Sequence, residues 1–238
     1  MTTGRGSNGF QTTSKIVDLT VKGGNKCNNW PDFPIDVLGA TGGVIGDTVI
    51  ICGGMDYSYS SLKECYSLTS EKATLVTHMS VGRHFAASIV LNDNTLWVTG
   101  GYGYIGGYLA YTEYVKMTGT MSGPDLPMAL SNHAMVAINN TCSMVIGGVS
   151  SEGYPASTFY YDHNEGKWTT GPSLIQARDG HAAGVVTDEV TDENFVAVTG
   201  GYGSGYLDST EILQDGEWVQ GKINDMLISG HFLVPKYF

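Results

Sequence analysis

The stretch Asn94-Thr95-Leu96-Trp97-Val98-Thr99-Gly100-Gly101 has three relatives along the chain: Thr48 to Gly54, Cys142 to Gly148 and Asn194 to Gly201. Each is a short apolar, β-branched run stopped by a glycine pair. That is the pattern of a buried strand running into a turn that needs positive φ or close backbone approach. The pairs stand at Gly53/Gly54, Gly100/Gly101, Gly147/Gly148 and Gly200/Gly201, spaced by 47, 47 and 53 residues. A period of this length marks a repeat architecture, in which one unit buries its apolar face only against its neighbours.

Working outward, each glycine pair sits in a set of four apolar or alternating runs, a to d. One set is Phe85 to Leu91, Leu96 to Thr99, Glu113 to Met117 and a run near Thr120; the next is Ala134 to Ile138, Met144 to Ile146, Thr158 to Tyr161 and Lys167 to Thr169. A third is Ala182 to Val186, Phe195 to Thr199, Thr210 to Leu213 and Glu217 to Val219. An earlier set starts at Ala40 and continues with Thr48 to Cys52, Glu64 to Leu68 and Ala73 to Val76. No helical period of useful length interrupts them, so the expected class is all-β.

Residues Thr3 to Ile16 align with the stretch from Gly200 to Ile212, so the chain enters in mid-repeat. Ser229 to Val234 matches Asp179 to Gly184 and supplies the run that the N-terminal segment lacks. Pairing of the two segments would remove the unpaired edges of a circular array. The expectation is one domain over 1–238 with five four-stranded blades of about 48 residues, the size of one propeller blade. Their boundaries are 34–79, 80–128, 129–176 and 177–226, plus a composite of 1–33 with 227–238.

Aromatic residues 12 or 13 positions after the glycine pairs (Tyr114, Tyr160), tryptophans after the following turn (Trp168, Trp218) and an Arg/Gly-His entry to run a complete a pattern that resembles kelch repeats over nearly the whole chain. The resemblance implies a β-propeller whose b–c and d–a loops share one face, where partners bind. Departures are Thr3-Gly4 in place of one glycine pair, and the missing tryptophan near Ala73 and Thr120.

Composition narrows the function. A net charge of −11 opposes binding to nucleic acid or to an anionic membrane, both of which draw affinity from clustered Lys and Arg. No apolar run reaches the roughly 20 residues of a transmembrane helix. The cysteines Cys27, Cys52, Cys65 and Cys142 are too few for a disulfide framework; Cys52 and Cys65 are either buried thiols or a cross-hairpin bond. Asn139-Asn140-Thr141 is a lone glycosylation sequon, and an acidic, lysine-poor chain carrying it leans towards an extracellular location.

Two Gly-x-Gly-x-x-Gly matches, 101–106 and 4–9, lack the following helix that a dinucleotide site requires, so no cofactor is expected. His84, His133, His181 and His231 are placed at the entry to run a. They read better as turn-packing residues, common there in kelch repeats, than as metal ligands. No catalytic signature occurs, and a glycosidase would need two paired carboxylates that the sequence does not offer.

The b–c loops are richer. Nine of the fourteen tyrosines lie there: Tyr57, Tyr59, Tyr102, Tyr104, Tyr108, Tyr111, Tyr154, Tyr202 and Tyr206. Amphipathic tyrosines among small residues make a recognition surface at low entropic cost. The three arginines, Arg5, Arg83 and Arg178, align to the same loops, where they would either orient an acidic ligand or brace the turns. The expectation is a non-enzymatic module binding a peptide or protein with acidic groups. The alternative is a carbohydrate-binding propeller, with Asn8, Asn132 and Asp179 taking hydroxyls.

Overall fold

The computed structural model describes residues 32–104, 107–187 and 193–221, and the short strands at 15–16 and 28–29. In chain order the strands are β1 (Lys15–Ile16), β2 (Asn28–Asn29), β3 (Thr41–Ile45), β4 (Thr48–Cys52), β5 (Glu64–Leu68) and β6 (Ala73–His78). Then come β7 (Ala87–Val90), β8 (Leu96–Thr99), β9 (Tyr102–Gly103), β10 (Gly107–Tyr108), β11 (Thr112–Lys116) and β12 (Gly119–Ser122). The remainder are β13 (Ala134–Asn139), β14 (Cys142–Ile146), β15 (Thr158–Asp162), β16 (Lys167–Thr170), β17 (Ala182–Thr187), β18 (Asn194–Thr199), β19 (Thr210–Gln214) and β20 (Glu217–Gly221). Among the described residues there is no helix.

Four four-stranded sheets carry the fold, each with its strands in chain order: β3-β4-β5-β6, β7-β8-β11-β12, β13-β14-β15-β16 and β17-β18-β19-β20. They are the four complete sets of runs a to d in the sequence. Their second strands are the buried ones: all four residues of β8 are buried, as are the last three of β4. Covered on both faces, these strands read as unbroken apolar runs. The fourth strands, such as β16 with its single tryptophan among polar residues, are largely exposed.

The glycine pairs have a physical reason. Gly53, Gly100 and Gly147 take φ of 65°, 56° and 56°, and a Cβ there would lie 2.4, 2.5 and 2.5 Å from the backbone oxygens of Arg83, Leu130 and Arg178. The following glycines, Gly54, Gly101 and Gly148, donate their N–H groups to those same carbonyls at 2.8 Å. The end of one second strand is thereby stitched to the segment entering the next sheet. A side chain at the first glycine would prevent it.

The segments entering β3, β7, β13 and β17 share a second feature. Two residues before each strand stands a residue with positive φ: Gly39 (71°), Phe85 (54°), Asn132 (51°) and Gly180 (59°). This fixes the register between repeats.

Contacts divide the chain into two compact units, one of Met1–Val98, Tyr102–Gly107 and Thr112–Gly123, the other of Thr99–Gly101, Tyr108–Tyr111 and Pro124–Phe238. In the first, Ile50, Cys52, Cys65, Met79, Leu96, Val98 and Val115 form a core. In the second, Val136, Met144, Ile146, Leu174, Val196, Val198 and Trp218 do so. The choice left open for Cys52 and Cys65 is settled by their pairing directly across β4 and β5: they are joined as a disulfide, not left as buried thiols. Of the expected composite of 1–33 with 227–238, only β1, β2 and residues 32–33 are described; Arg5, Asn8 and His231 lie outside the described residues.

Candidate functional site

Arg83 and Arg178 do not reach the surface. They are 1% and 0% exposed. Arg83 Nη2 lies 2.6 Å from Glu113 Oε1, and Arg178 Nη2 lies 2.7 Å from Glu211 Oε1. Each carboxylate also accepts amides from the loop that carries its arginine: Ser80 N at 2.7 Å for Glu113, and Ile175 N at 2.7 Å and Gln176 N at 3.0 Å for Glu211. Arg178 further donates to the carbonyls of Gly200 and Ser209 at 2.8 and 3.1 Å. Such pairs lock the loop before the first strand onto the third strand of the same sheet. The expectation that these guanidinium groups orient an acidic ligand is therefore corrected. Charges this deep are held by carboxylates of their own sheets and brace the loops, although Arg178 Nε has no partner among the described residues.

The alignment hid the partners, yet a signal existed. Glu113 and Glu211 are the second residues of β11 and β19, the third strands of the two sheets that have arginine four residues before the first strand. The other two sheets have Val37 and Leu130 at the arginine position, with Cys65 and Phe159 opposite. Arginine and glutamate thus come and go together among the repeats.

The histidines also need correction, because His84 is not the counterpart of His133 and His181. Counted from the strand starts, the equivalent of those two is Ala86, and His84 matches Asp179. His84 Nδ1 lies 3.0 Å from Ser61 Oγ, and its ring packs on Tyr102. His133 Nε2 lies 2.9 Å from Thr99 Oγ1. His181 is buried, and burial first, then Arg178 and His133, push it down to about 3 against a backbone hydrogen bond at Arg178 that acts to raise it. It is held neutral. Among the described residues no group of three or more His, Cys, Asp or Glu is placed to hold a metal. In the match beginning at Gly101, strand β9 and not a helix follows the first glycine.

The tyrosines divide between the two units. In the first, Tyr57, Tyr59 and Tyr104 are exposed, and Asp56 Oδ1 accepts the amides of Ser58 and Ser60 at 2.9 and 2.8 Å to shape their loop. Tyr102 stands on His84.

In the second unit the tyrosines are assembled. Tyr154 meets Tyr202 with ring centroids 5.7 Å apart at 63°, and Tyr202 meets Tyr206 at 5.4 Å and 79°. Their exposures are 44%, 38% and 87%, so this edge-to-face row stands open to solvent. The rings are set by backbone: Asp179 and Tyr202 exchange N–H to O=C bonds of 2.8 and 2.9 Å, and Ser150 and Gly153 close the turn before Tyr154. Asp179 is half-buried beside the row, and desolvation raises its carboxyl above the usual range despite a backbone hydrogen bond. The Tyr154 phenol is likewise raised, by partial burial first and then by Asp179, Tyr202 and Tyr108. Asn132 lies next to this group through its carbonyl, which accepts from Gly180 N at 2.9 Å, but its Oδ1 points inward without a partner among the described residues. What the arrangement offers is a corrugated aromatic surface with one carboxylate at its edge.

No family model matches this chain, and no curated protein matches it in sequence. Among solved structures it is similar to one titled "Structure of YjhT", at 13% identity and a TM-score of 0.71, over 90% of this chain and 84% of that one. At that identity the likeness shows the fold alone, which is all-β and propeller-like.

Proposed function

We propose that this chain is a kelch-type propeller of five blades, closed by its own terminal segments, and that it works as a non-enzymatic binding module through its tyrosine loops. The row Tyr154–Tyr202–Tyr206 beside Asp179 carries this reading. Tyrosines held edge to face present alternating rings and notches, a relief that seats amino-acid side chains better than a flat sugar face. With Arg83 and Arg178 consumed inside the fold, the charge at the row is that of Asp179, and the whole chain carries −11. The partner is thus a peptide or protein loop with basic rather than acidic groups, its cations lying over phenol faces and against the carboxylate. Carbohydrate binding is the second reading, favoured by the Asp179 carboxylate beside the aromatic row, whereas Asn132 Oδ1 is turned inward.

A display library of peptides and a glycan array, screened in parallel, test this. Basic peptides bind the wild type and lose at least about tenfold affinity in Tyr202→Ala, a change of about 1.4 kcal/mol or more. Sugar ligands without peptide ligands would replace the first reading by the second.

A further inference from the structure

We propose that Asn139 accepts an N-linked oligosaccharide. Asn139-Asn140-Thr141 has the acceptor sequence, and it lies on the turn that joins β13 to β14. All three residues are exposed. The turn is ordered by the sequon itself: Asn139 Oδ1 accepts from Thr141 N at 2.9 Å and from Thr141 Oγ1 at 3.0 Å. The hydroxyl that makes Asn-x-Thr an acceptor is therefore already turned onto the asparagine amide, and Nδ2 takes no part in the turn. His163 N holds the Thr141 carbonyl at 2.9 Å, so the tip is tied to the sheet and a bulky substituent there disturbs no core contact.

The Cys52–Cys65 disulfide is an independent observation pointing the same way. It belongs to an oxidising compartment, as does the transfer reaction in eukaryotic cells. In that reaction Asn139 Nδ2 forms a bond to C1 of a polyprenyl-diphosphate-linked oligosaccharide, the C1–O bond to diphosphate breaks, Nδ2 gives up one proton to the transferase, and the polyprenyl diphosphate leaves. No oxidation is involved. The sugar also has a place to go within this unit. β13 starts one residue after His133 and ends at Asn139, whereas the loop holding Tyr154 leaves the opposite end of β14, so the glycan and the tyrosine row occupy opposite ends of the sheet.

The full chain, translated behind a cleavable signal peptide into microsomes, tests this. Protease protection and oxidation of Cys52–Cys65 report entry into the lumen. The wild type and Thr141→Ser gain the mass of one glycan, removed by peptide N-glycosidase, while Asn139→Gln and Thr141→Ala gain none. A protected, oxidised wild-type chain without added mass overturns the assignment, as does a glycan that persists in Asn139→Gln.

Discussion

His181 shows what a single residue in this fold commits to. Its ring is buried against Arg178 and His133 and is pushed down to about 3, whereas an imidazole in an unfolded chain titrates near 6.5. Between those two values the unfolded chain takes up a proton that the folded chain refuses. The stability tied to this neutral ring is thus complete above about pH 6.5 and is lost as the pH falls towards 3, at about 1.4 kcal/mol per unit. Urea unfolding at pH 6.5 and pH 5, above the range where most carboxylates titrate, measures it. A loss of about 2 kcal/mol is expected in the wild type and a clearly smaller one in His181→Gln. An acid limb equally steep in the variant would assign the proton elsewhere.

At the scale of elements, the two arginine–glutamate pairs join loop to strand, and their energetics differ from those of surface charges. An exposed arginine in a loop costs within about 0.5 kcal/mol when truncated. Arg178→Ala instead leaves Glu211 charged and buried, and about 3–5 kcal/mol of stability is expected to go with it. Arg178→Met with Glu211→Gln removes both charges and keeps a carbonyl oxygen for one of the Ile175 and Gln176 amides, so it unfolds at higher urea concentration than the single variant. Equal midpoints for the single variant and the wild type would return Arg178 to the surface. The glycine pairs were legible because positive φ and close approach act on the glycine itself, within two adjacent positions. The braces were not, because an arginine read alone is a surface cation and its partner stands 30 or 33 residues further on. Comparison of the repeats with one another contained that information; comparison by motif did not. The same holds for His84, whose imidazole fits the motif but sits two residues out of register, a shift visible only from the strand starts and the positive-φ residue between.

For the molecule as a whole, the proposed binding reading makes charge and tyrosine placement together set how a partner is met. The aromatic loops were legible in the sequence, since composition and loop position coincide; the inward direction of two guanidinium groups was not, and the proposed sign of the partner's charge rests on it. With both neutralised in the interior, no arginine among the described residues opposes, at the Tyr154–Tyr202–Tyr206 row, the field of a chain bearing −11. Such a field steers a cationic ligand inwards and slows an anionic one, and salt screens it over a Debye length of about 10 Å at 0.1 M. Association of a basic peptide, followed by stopped-flow fluorescence, is therefore expected to slow by at least about tenfold between roughly 10 mM and 150 mM salt, while dissociation changes little. Tyr202→Ala should shift dissociation and leave the salt slope of association intact, because the ring holds the bound ligand and the net charge guides the free one. An acidic peptide that binds faster as salt is removed would contradict both halves of this argument, since it would require a positive surface that the buried arginines do not supply.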